Sequence, residues 1–278
     1  MTDKYLYSIN GIISRTVASN NLTVAIKNFD GTDFSAGSPL VHKIGNTPRT
    51  LTGALSVTVA AGVSTFNAGS TELAAKEVDY FTYLGWRASD SSVFILISRI
   101  PYATTYADFH ATATNEKYGA YSGAAPASTD PVTNIGRFNA TNSGTASYNW
   151  SVPATSVVIN YPIYETRTLN WTPSITYAGG STDPTSNTVN TANYLVDGRK
   201  VFFSIKSTIV RGAGDRPNTI YTLPLSIGST QVPGNGIDTI TAGGLLVATI
   251  VYLLNATIIY GKTMSADGSM FPDGWGFW

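Results

Sequence analysis

The chain has 278 residues, with 17 basic and 17 acidic side chains that leave no formal net charge. Charged residues make up only 12% of it, against a usual share of roughly 25%, and it contains no cysteine. This composition excludes a disulfide framework, a thiolate metal site and a thiol nucleophile, and the neutral charge argues against nucleic acid as a partner.

Short runs of β-branched and aromatic residues recur between clusters of Gly, Asn, Asp and Pro. The clearest runs span residues 22–26, 55–59, 93–97, 157–159 and 201–205. The first two alternate apolar and hydroxyl-bearing side chains, which is typical of strands with one face in the core and the other in water. Short strands separated by turn signals predict an all-β fold of two β-sandwich or jelly-roll-like domains.

Helix signals are sparse, and the sequence predicts one short helix near residues 105–117. The composition of the chain changes near residues 161–167, which indicates a domain boundary. We therefore expect an N-terminal β-rich domain over residues 1–163 and a C-terminal β-sandwich domain over residues 168–278.

Residues 243–260 form an uncharged, largely apolar run that is long enough to be considered as a membrane-spanning helix. β-branched and aromatic residues dominate the run, which favours two buried strands with a turn near Asn255 and Thr257. We therefore expect no membrane span. The first residues show no apolar segment after a basic start, so we also expect no secretory signal peptide.

The residue types most often used in catalysis form no recognisable pattern. His42 lies in an apparent strand, and we expect it at a surface position. His110 follows Asp108 by two residues, and we expect it at a structural or exposed position. A glycosidase needs two carboxylates that face each other across a cleft, and the closest pair in sequence is Glu77 and Asp79. Any two residues at that spacing share one face of a strand, so we expect no catalytic residue and no enzyme.

Two groups of aspartates offer oxygen ligands of the kind that calcium prefers, Asp30 with Asp33 and Asp267 with Asp273. Neither group has the spacing of a calcium-binding loop, and Asp followed by Gly is typical of ordinary turns. The chain also lacks a phosphate-binding glycine loop. We expect neither a metal ion nor a cofactor.

Large aromatic residues suit two different roles in this chain. A flat ring beside Asn and Asp can stack on a sugar while the polar groups contact its hydroxyls, and the same rings equally suit packing in a core or a subunit interface. Trp86, Trp275 and Trp278 are the candidates for interface or glycan-facing positions.

The second half of the chain carries two motifs, W-x-P at residues 171–173 and Y-x-x-x-G-(R/K)-x-V at residues 194–201. Over residues 168–278 the chain resembles a β-sandwich module of tailed-bacteriophage structural proteins. The resemblance implies a component of the tail, baseplate, fibre or capsid decoration, and it implies no catalytic residues. Because trimers are common in phage appendages, it also implies a homotrimer.

Three aromatic residues within the resembling region, Trp171, Tyr177 and Tyr194, are expected to build the core of the second domain. We expect the whole chain to be a non-enzymatic structural protein of the virion, an exposed tail or capsid appendage that contacts other virion proteins and is made in the host cytoplasm. One alternative is a receptor-binding module that recognises a host-surface glycan. A glycan depolymerase is a third, less favoured hypothesis.

Overall fold

The computed structural model is an all-β protein, as the sequence predicts. It describes residues 9–66, 76–144, 147–173, 175–177, 186–198, 200–210, 219–222, 234–240, 245–255 and 258–263. Within these ranges there are nineteen strands and no α-helix. The chain forms two compact units, one of residues 1–170 and 194–203, the other of residues 171–193 and 204–278.

The first unit begins with a three-stranded antiparallel sheet in the order β1–β2–β5 and a separate hairpin of β3 and β4. The strands are β1 (Ile12–Ala18), β2 (Asn21–Lys27), β3 (Leu40–Ile44), β4 (Thr47–Leu51) and β5 (Leu55–Val59). Val24 of β2 pairs with Val57 of β5, and both side chains are buried. The alternation along β5 is regular, with apolar residues buried and hydroxyl residues exposed. This confirms the prediction for residues 55–59.

A six-stranded antiparallel sheet forms the centre of the first unit, in the order β10–β9–β6–β7–β8 with β11 also paired to β9. Its strands are β6 (Lys76–Arg87), β7 (Ser92–Ser98), β8 (Gly119–Tyr121), β9 (Val132–Asn142), β10 (Trp150–Ser151) and β11 (Val158–Ile159). Thr82 pairs with Gly136 and Tyr83 pairs with Asn134, so β9 contains one extra residue, Ile135, at a β-bulge.

Both faces of this central sheet are buried. Successive residues of β6 point to opposite sides, and consecutive residues from Val78 to Gly85 are all buried. Tyr80 and Leu84 join the larger apolar cluster, which also contains side chains of β2 and β5. Phe81 and Tyr83 join a second cluster on the opposite face, together with Phe109. Burial on both sides explains why β6 has a long apolar stretch rather than a simple alternation.

The helix predicted near residues 105–117 is wrong beyond its first turn. A 3-10 helix covers only Tyr106–Asp108, and the next residue, Phe109, has an extended backbone. The carboxylate of Asp108 accepts hydrogen bonds from the backbone N–H groups of Thr104 and Thr105. Further along, Asn115 Oδ1 accepts one from the N–H of Lys117 at 2.9 Å. These side-chain bonds to the backbone favour turns over a continued helix.

The division into units differs from the predicted boundary between residues 163 and 168. The first unit continues to residue 170 and also includes Tyr194–Phe203, the tip of a later hairpin. The backbone explains why: Thr166 N–H donates to Val196 O at 2.9 Å, and Gly198 N–H donates to Tyr164 O at 2.7 Å. Sequence position alone does not reveal this return of the chain.

The remaining strands form two sheets. A three-stranded sheet has the order β12–β14–β15, and a five-stranded antiparallel sheet has the order β13–β16–β19–β18–β17. Their bounds are β12 (Leu169–Asn170), β13 (Ile175–Tyr177), β14 (Ser186–Asp197), β15 (Lys200–Val210), β16 (Thr219–Thr222), β17 (Gly234–Ile240), β18 (Leu245–Asn255) and β19 (Ile258–Thr263).

The apolar run at residues 243–260 supplies the paired strands β18 and β19, with Tyr252 opposite Tyr260. This confirms the prediction of two strands, and the turn expected near Thr257 lies outside the described residues. In the described part of the chain, no helix is long and apolar enough to cross a membrane.

Candidate functional site

Two of the three residues predicted for the second core have described side chains, and both are buried. Trp171 belongs to the second unit, where its N–H donates to Ala192 O at 2.9 Å. Tyr194 belongs instead to the first unit, which corrects its predicted placement. The backbone of Tyr177 lies in β13, but its side chain lies outside the described part of the structure.

Tyr194 contacts a buried cation of the first unit. Arg99 Nη2 donates to Tyr194 Oη at 3.3 Å, and Arg99 Nη1 donates to Phe66 O at 3.4 Å. Arg99 is itself buried, so its charge depends on such contacts for stabilisation. Within the first unit, residues 194–203 are thus held by a side-chain contact as well as by backbone bonds.

Trp86 does not present an open ring face for a sugar. The guanidinium carbon of Arg49 lies 3.7 Å from the centre of its ring, and the side chain packs on the larger apolar cluster. This cation–π contact occupies the position that a stacked sugar would need. Trp275 and Trp278, the other two candidates, lie outside the described residues.

The two histidines lie in different environments. His42 is buried on β3, which corrects the expected surface position, and within the described residues its Nε2 atom has no hydrogen-bond partner. Burial lowers the pKa of His42 to about 4, because a charged imidazolium would be desolvated there. His110 is exposed, and its Nδ1 accepts a hydrogen bond from the N–H of Thr112 at 3.1 Å.

The polar network around Glu77 and Asp79 joins these two carboxylates to Arg137 and Arg167 of the first unit. Arg167 Nη2 lies 2.7 Å from Glu77 Oε1 and 2.6 Å from Asp79 Oδ1. The Nε atom of Arg167 also donates to Asp79 at 2.9 Å, and its backbone N–H donates to the other oxygen at 2.8 Å. Asp79 is buried, and Arg137 Nη1 lies 3.6 Å from it. The carboxylate of Asp79 is therefore surrounded by donors.

Glu77 is likewise saturated with hydrogen bonds. It accepts from Asn139 Nδ2 and from Thr155 Oγ1 in addition to Arg167. Desolvation raises the pKa of Glu77, but the hydrogen bonds that it accepts outweigh this and hold the pKa below its ordinary value. Glu77 is therefore an anion near neutral pH and has no proton to donate to a leaving group.

The network fastens the chain segment of residues 152–168 to the central sheet. Arg137 Nη1 donates to Glu165 O at 2.7 Å, and Asn139 Nδ2 donates to Thr155 O at 2.9 Å. Asn139 Oδ1 accepts from the N–H of Val157 at 2.9 Å. Each of these contacts joins a strand residue to the backbone of the segment, as expected of a structural attachment.

The sequence offered only a faint signal for this network. Glu77 and Asp79 are two residues apart, and this spacing correctly indicates a shared face of β6. Their partners Arg137, Asn139 and Arg167 come from distant parts of the chain, so no local pattern connects them.

The aspartates at Asp30 and Asp33 occupy a turn. Asp30 Oδ1 accepts hydrogen bonds from the N–H of Thr32 at 2.9 Å and from its hydroxyl at 2.6 Å, the usual pattern of an Asx turn. Asp267 and Asp273 lie outside the described residues. Across the ranges that the structure describes, no cluster of three or more His, Asp and Glu side chains is arranged to hold a metal ion.

Eight large hydrophobic side chains are exposed in the described part of the chain. They are Phe29, Val41, Val63, Tyr102, Val152, Tyr161, Tyr164 and Phe202. Tyr102 and Tyr164 form a T-shaped pair, with 5.8 Å between the ring centres. These two tyrosines, rather than the predicted tryptophans, are the described aromatics that combine exposure with a paired arrangement.

Comparison with protein-family models, with curated proteins and with solved structures found no match for this chain.

Proposed function

We propose that the chain is a non-enzymatic structural protein of a phage virion, an exposed tail or capsid appendage. The observation that carries the non-enzymatic role is the state of the paired carboxylates. Glu77 and Asp79 are both bound by Arg167, and Asp79 is buried. Carboxylates held in this way favour a structural role, because their oxygens are occupied by Arg167 and are not available to a substrate.

Two further properties support a role in a particle. The chain combines many antiparallel strands with an unusually low content of charged residues. Sheets of this kind gain stability when their edges are covered by neighbouring subunits, and closed cyclic symmetry is the common arrangement. The resemblance of residues 168–278 to a phage β-sandwich module supports a homotrimer that contacts other virion proteins.

The native mass of the purified full chain tests the oligomeric part of this proposal. Light scattering after size exclusion should give a mass near three times the 29.5 kDa of one chain. A monomer across a hundredfold range of concentration would contradict the trimer. Antibodies raised against the chain should also label intact particles of the virus that encodes it, and particles without label would contradict the location in the virion.

A second candidate function is recognition of a host-surface glycan by the same particle component. The exposed pair of Tyr102 and Tyr164 is the observation that favours it. The depolymerase hypothesis would instead require turnover of a polysaccharide. Release of reducing ends from host-surface polysaccharide by the purified chain would contradict the non-enzymatic proposal.

A further inference from the structure

Tyr102 and Tyr164 come from separate segments of the first unit and meet at its surface. Tyr102 is 39% exposed and Tyr164 is 44% exposed. Their ring centres are 5.8 Å apart and the ring planes meet at 61°. Two large rings thus form a corner that is accessible to a ligand.

A single buried amide sets the distance between the two segments. Asn134 is buried on β9, and its Nδ2 group donates to Pro101 O and to Ile163 O, each at 2.9 Å. Each of these carbonyls belongs to the residue that directly precedes one of the tyrosines. Asn134 therefore holds the two backbone segments next to each other, independently of the tyrosine side chains.

Asn134 is itself fixed by the β-bulge of β9. Its Oδ1 atom accepts a hydrogen bond from the N–H of Gly136 at 3.0 Å. A Cβ atom at Gly136 would lie only 2.0 Å from Ile159 O, so this close approach requires glycine. Bulges often re-aim side chains beside functional sites.

Further bonds stabilise the backbone on both sides of the pair. Tyr83 Oη donates to Ile100 O at 2.7 Å, close before Tyr102 in the chain. Gly198 N–H donates to Tyr164 O at 2.7 Å, and Arg137 donates to Glu165 O at 2.7 Å. A surface arranged in advance loses little conformational entropy when a ligand binds.

From this arrangement we infer a binding site for a neutral saccharide on the Tyr102–Tyr164 corner. Each tyrosine offers exposed apolar ring surface for the C–H groups of a pyranose. The two rings form a small corner, whereas a standard protein interface needs roughly 800 Å² from each partner. The chemistry of the pair therefore fits a sugar better than a second protein.

The flanking charges select against acidic sugars. Glu165 follows Tyr164 in the chain and is exposed, and its backbone bridges to that of Asp197, which is also exposed. Carboxylates accept hydrogen bonds from sugar hydroxyls but repel sialic and uronic acids. The site rests on the glycan-recognition function proposed above and specifies its ligand class, and it does not depend on the trimer.

Titration calorimetry of the purified full chain tests the site. The probes are neutral oligosaccharides of glucose, galactose, mannose and N-acetylglucosamine, with sialylated and uronic oligosaccharides as acidic counterparts. At least one neutral probe should bind, and Tyr102→Ala or Tyr164→Ala should weaken that binding about tenfold through loss of a stacking ring. Phe29→Ala, which removes an exposed ring from a turn outside the pair, should leave binding unchanged.

Several results would overturn the inference. They are a failure of every neutral probe to bind, binding of acidic probes alone, and binding that survives in both tyrosine variants. A loss of native mass in the tyrosine variants without loss of sugar binding would make the pair a subunit interface instead. A wild-type monomer that binds neutral sugar would contradict the trimer while supporting this site, so the two proposals fail separately.

Discussion

Two tyrosines of β6, Tyr80 and Tyr83, provide a matched test of the buried hydrogen bonds in this fold. Both side chains are fully buried, and burial raises the pKa of both phenols, so both hydroxyls stay protonated over the range of ordinary experiments. They differ in their partners. Tyr83 Oη donates to Ile100 O at 2.7 Å, whereas Tyr80 Oη has no hydrogen-bond partner in the described part of the structure.

Tyr→Phe removes one hydroxyl from each position and leaves the ring packing in place. Tyr83→Phe deletes a donor and leaves a carbonyl without it, so the free energy of unfolding should fall by roughly 1–3 kcal/mol. Tyr80→Phe deletes a hydroxyl whose burial is uncompensated, so stability should stay within about 0.5 kcal/mol or rise by about 1 kcal/mol. The two changes are chemically identical, yet only Tyr83→Phe should lower the free energy of unfolding clearly.

Urea unfolding followed by tryptophan fluorescence measures the difference, with the midpoints compared at equal slopes. The wild-type chain and the two variants are measured under the same buffer conditions. Equal destabilisation by both variants would refute the reasoning, because it would mean that Tyr80 has a partner as strong as that of Tyr83.

Two further predictions concern buried charge. Arg167→Met should lower the free energy of unfolding by roughly 3 kcal/mol, because Asp79 would stay buried without its main counter-ion. Adding Asp79→Asn to this variant should recover part of the loss. A loss below about 1 kcal/mol for Arg167→Met in the same urea assay would contradict the prediction. His42 has a folded-state pKa of about 4, below the ordinary value of 6.5, so the unfolded chain binds a proton in the acid range before the folded chain does. The contribution of His42 to stability is therefore complete above pH 6.5 and is lost as the pH falls toward 4, by roughly 2 kcal/mol between pH 7 and 5. His42→Gln should flatten this part of the profile of unfolding free energy against pH. His110→Gln, the control at an exposed site, should not flatten it. Identical profiles for the two variants would contradict the assignment of this pH dependence to His42.

Local composition was sufficient to predict several of the strands. The run at residues 93–97 lies within β7, and the run at residues 201–205 lies within β15. The apolar stretch at residues 243–260 was correctly divided into two strands. These predictions succeed because β-branched and aromatic side chains favour a pleated, half-buried backbone wherever they occur together.

Predictions failed where a distant contact or a backbone-binding side chain decided the outcome. The segment at residues 105–117 has enough apolar residues for a helix, but Asp108 and Asn115 bind the backbone and produce turns. His42 looked like a surface residue, yet burial on β3 removes it from water. Tyr194 lies in the first unit rather than the second, and its hydroxyl accepts a hydrogen bond from the distant Arg99.

The sequence by itself determined the all-β class, the positions of several strands and the shared face of Glu77 and Asp79, since these depend on residues within a few positions of one another. Only the tertiary structure decided that Arg167 binds both carboxylates and that Asn134 brings Tyr102 beside Tyr164. The physical reason is the same in both cases. A hydrogen bond requires donor and acceptor atoms about 3 Å apart. Strand pairing, rather than local composition, brings residues that are distant in sequence to that separation.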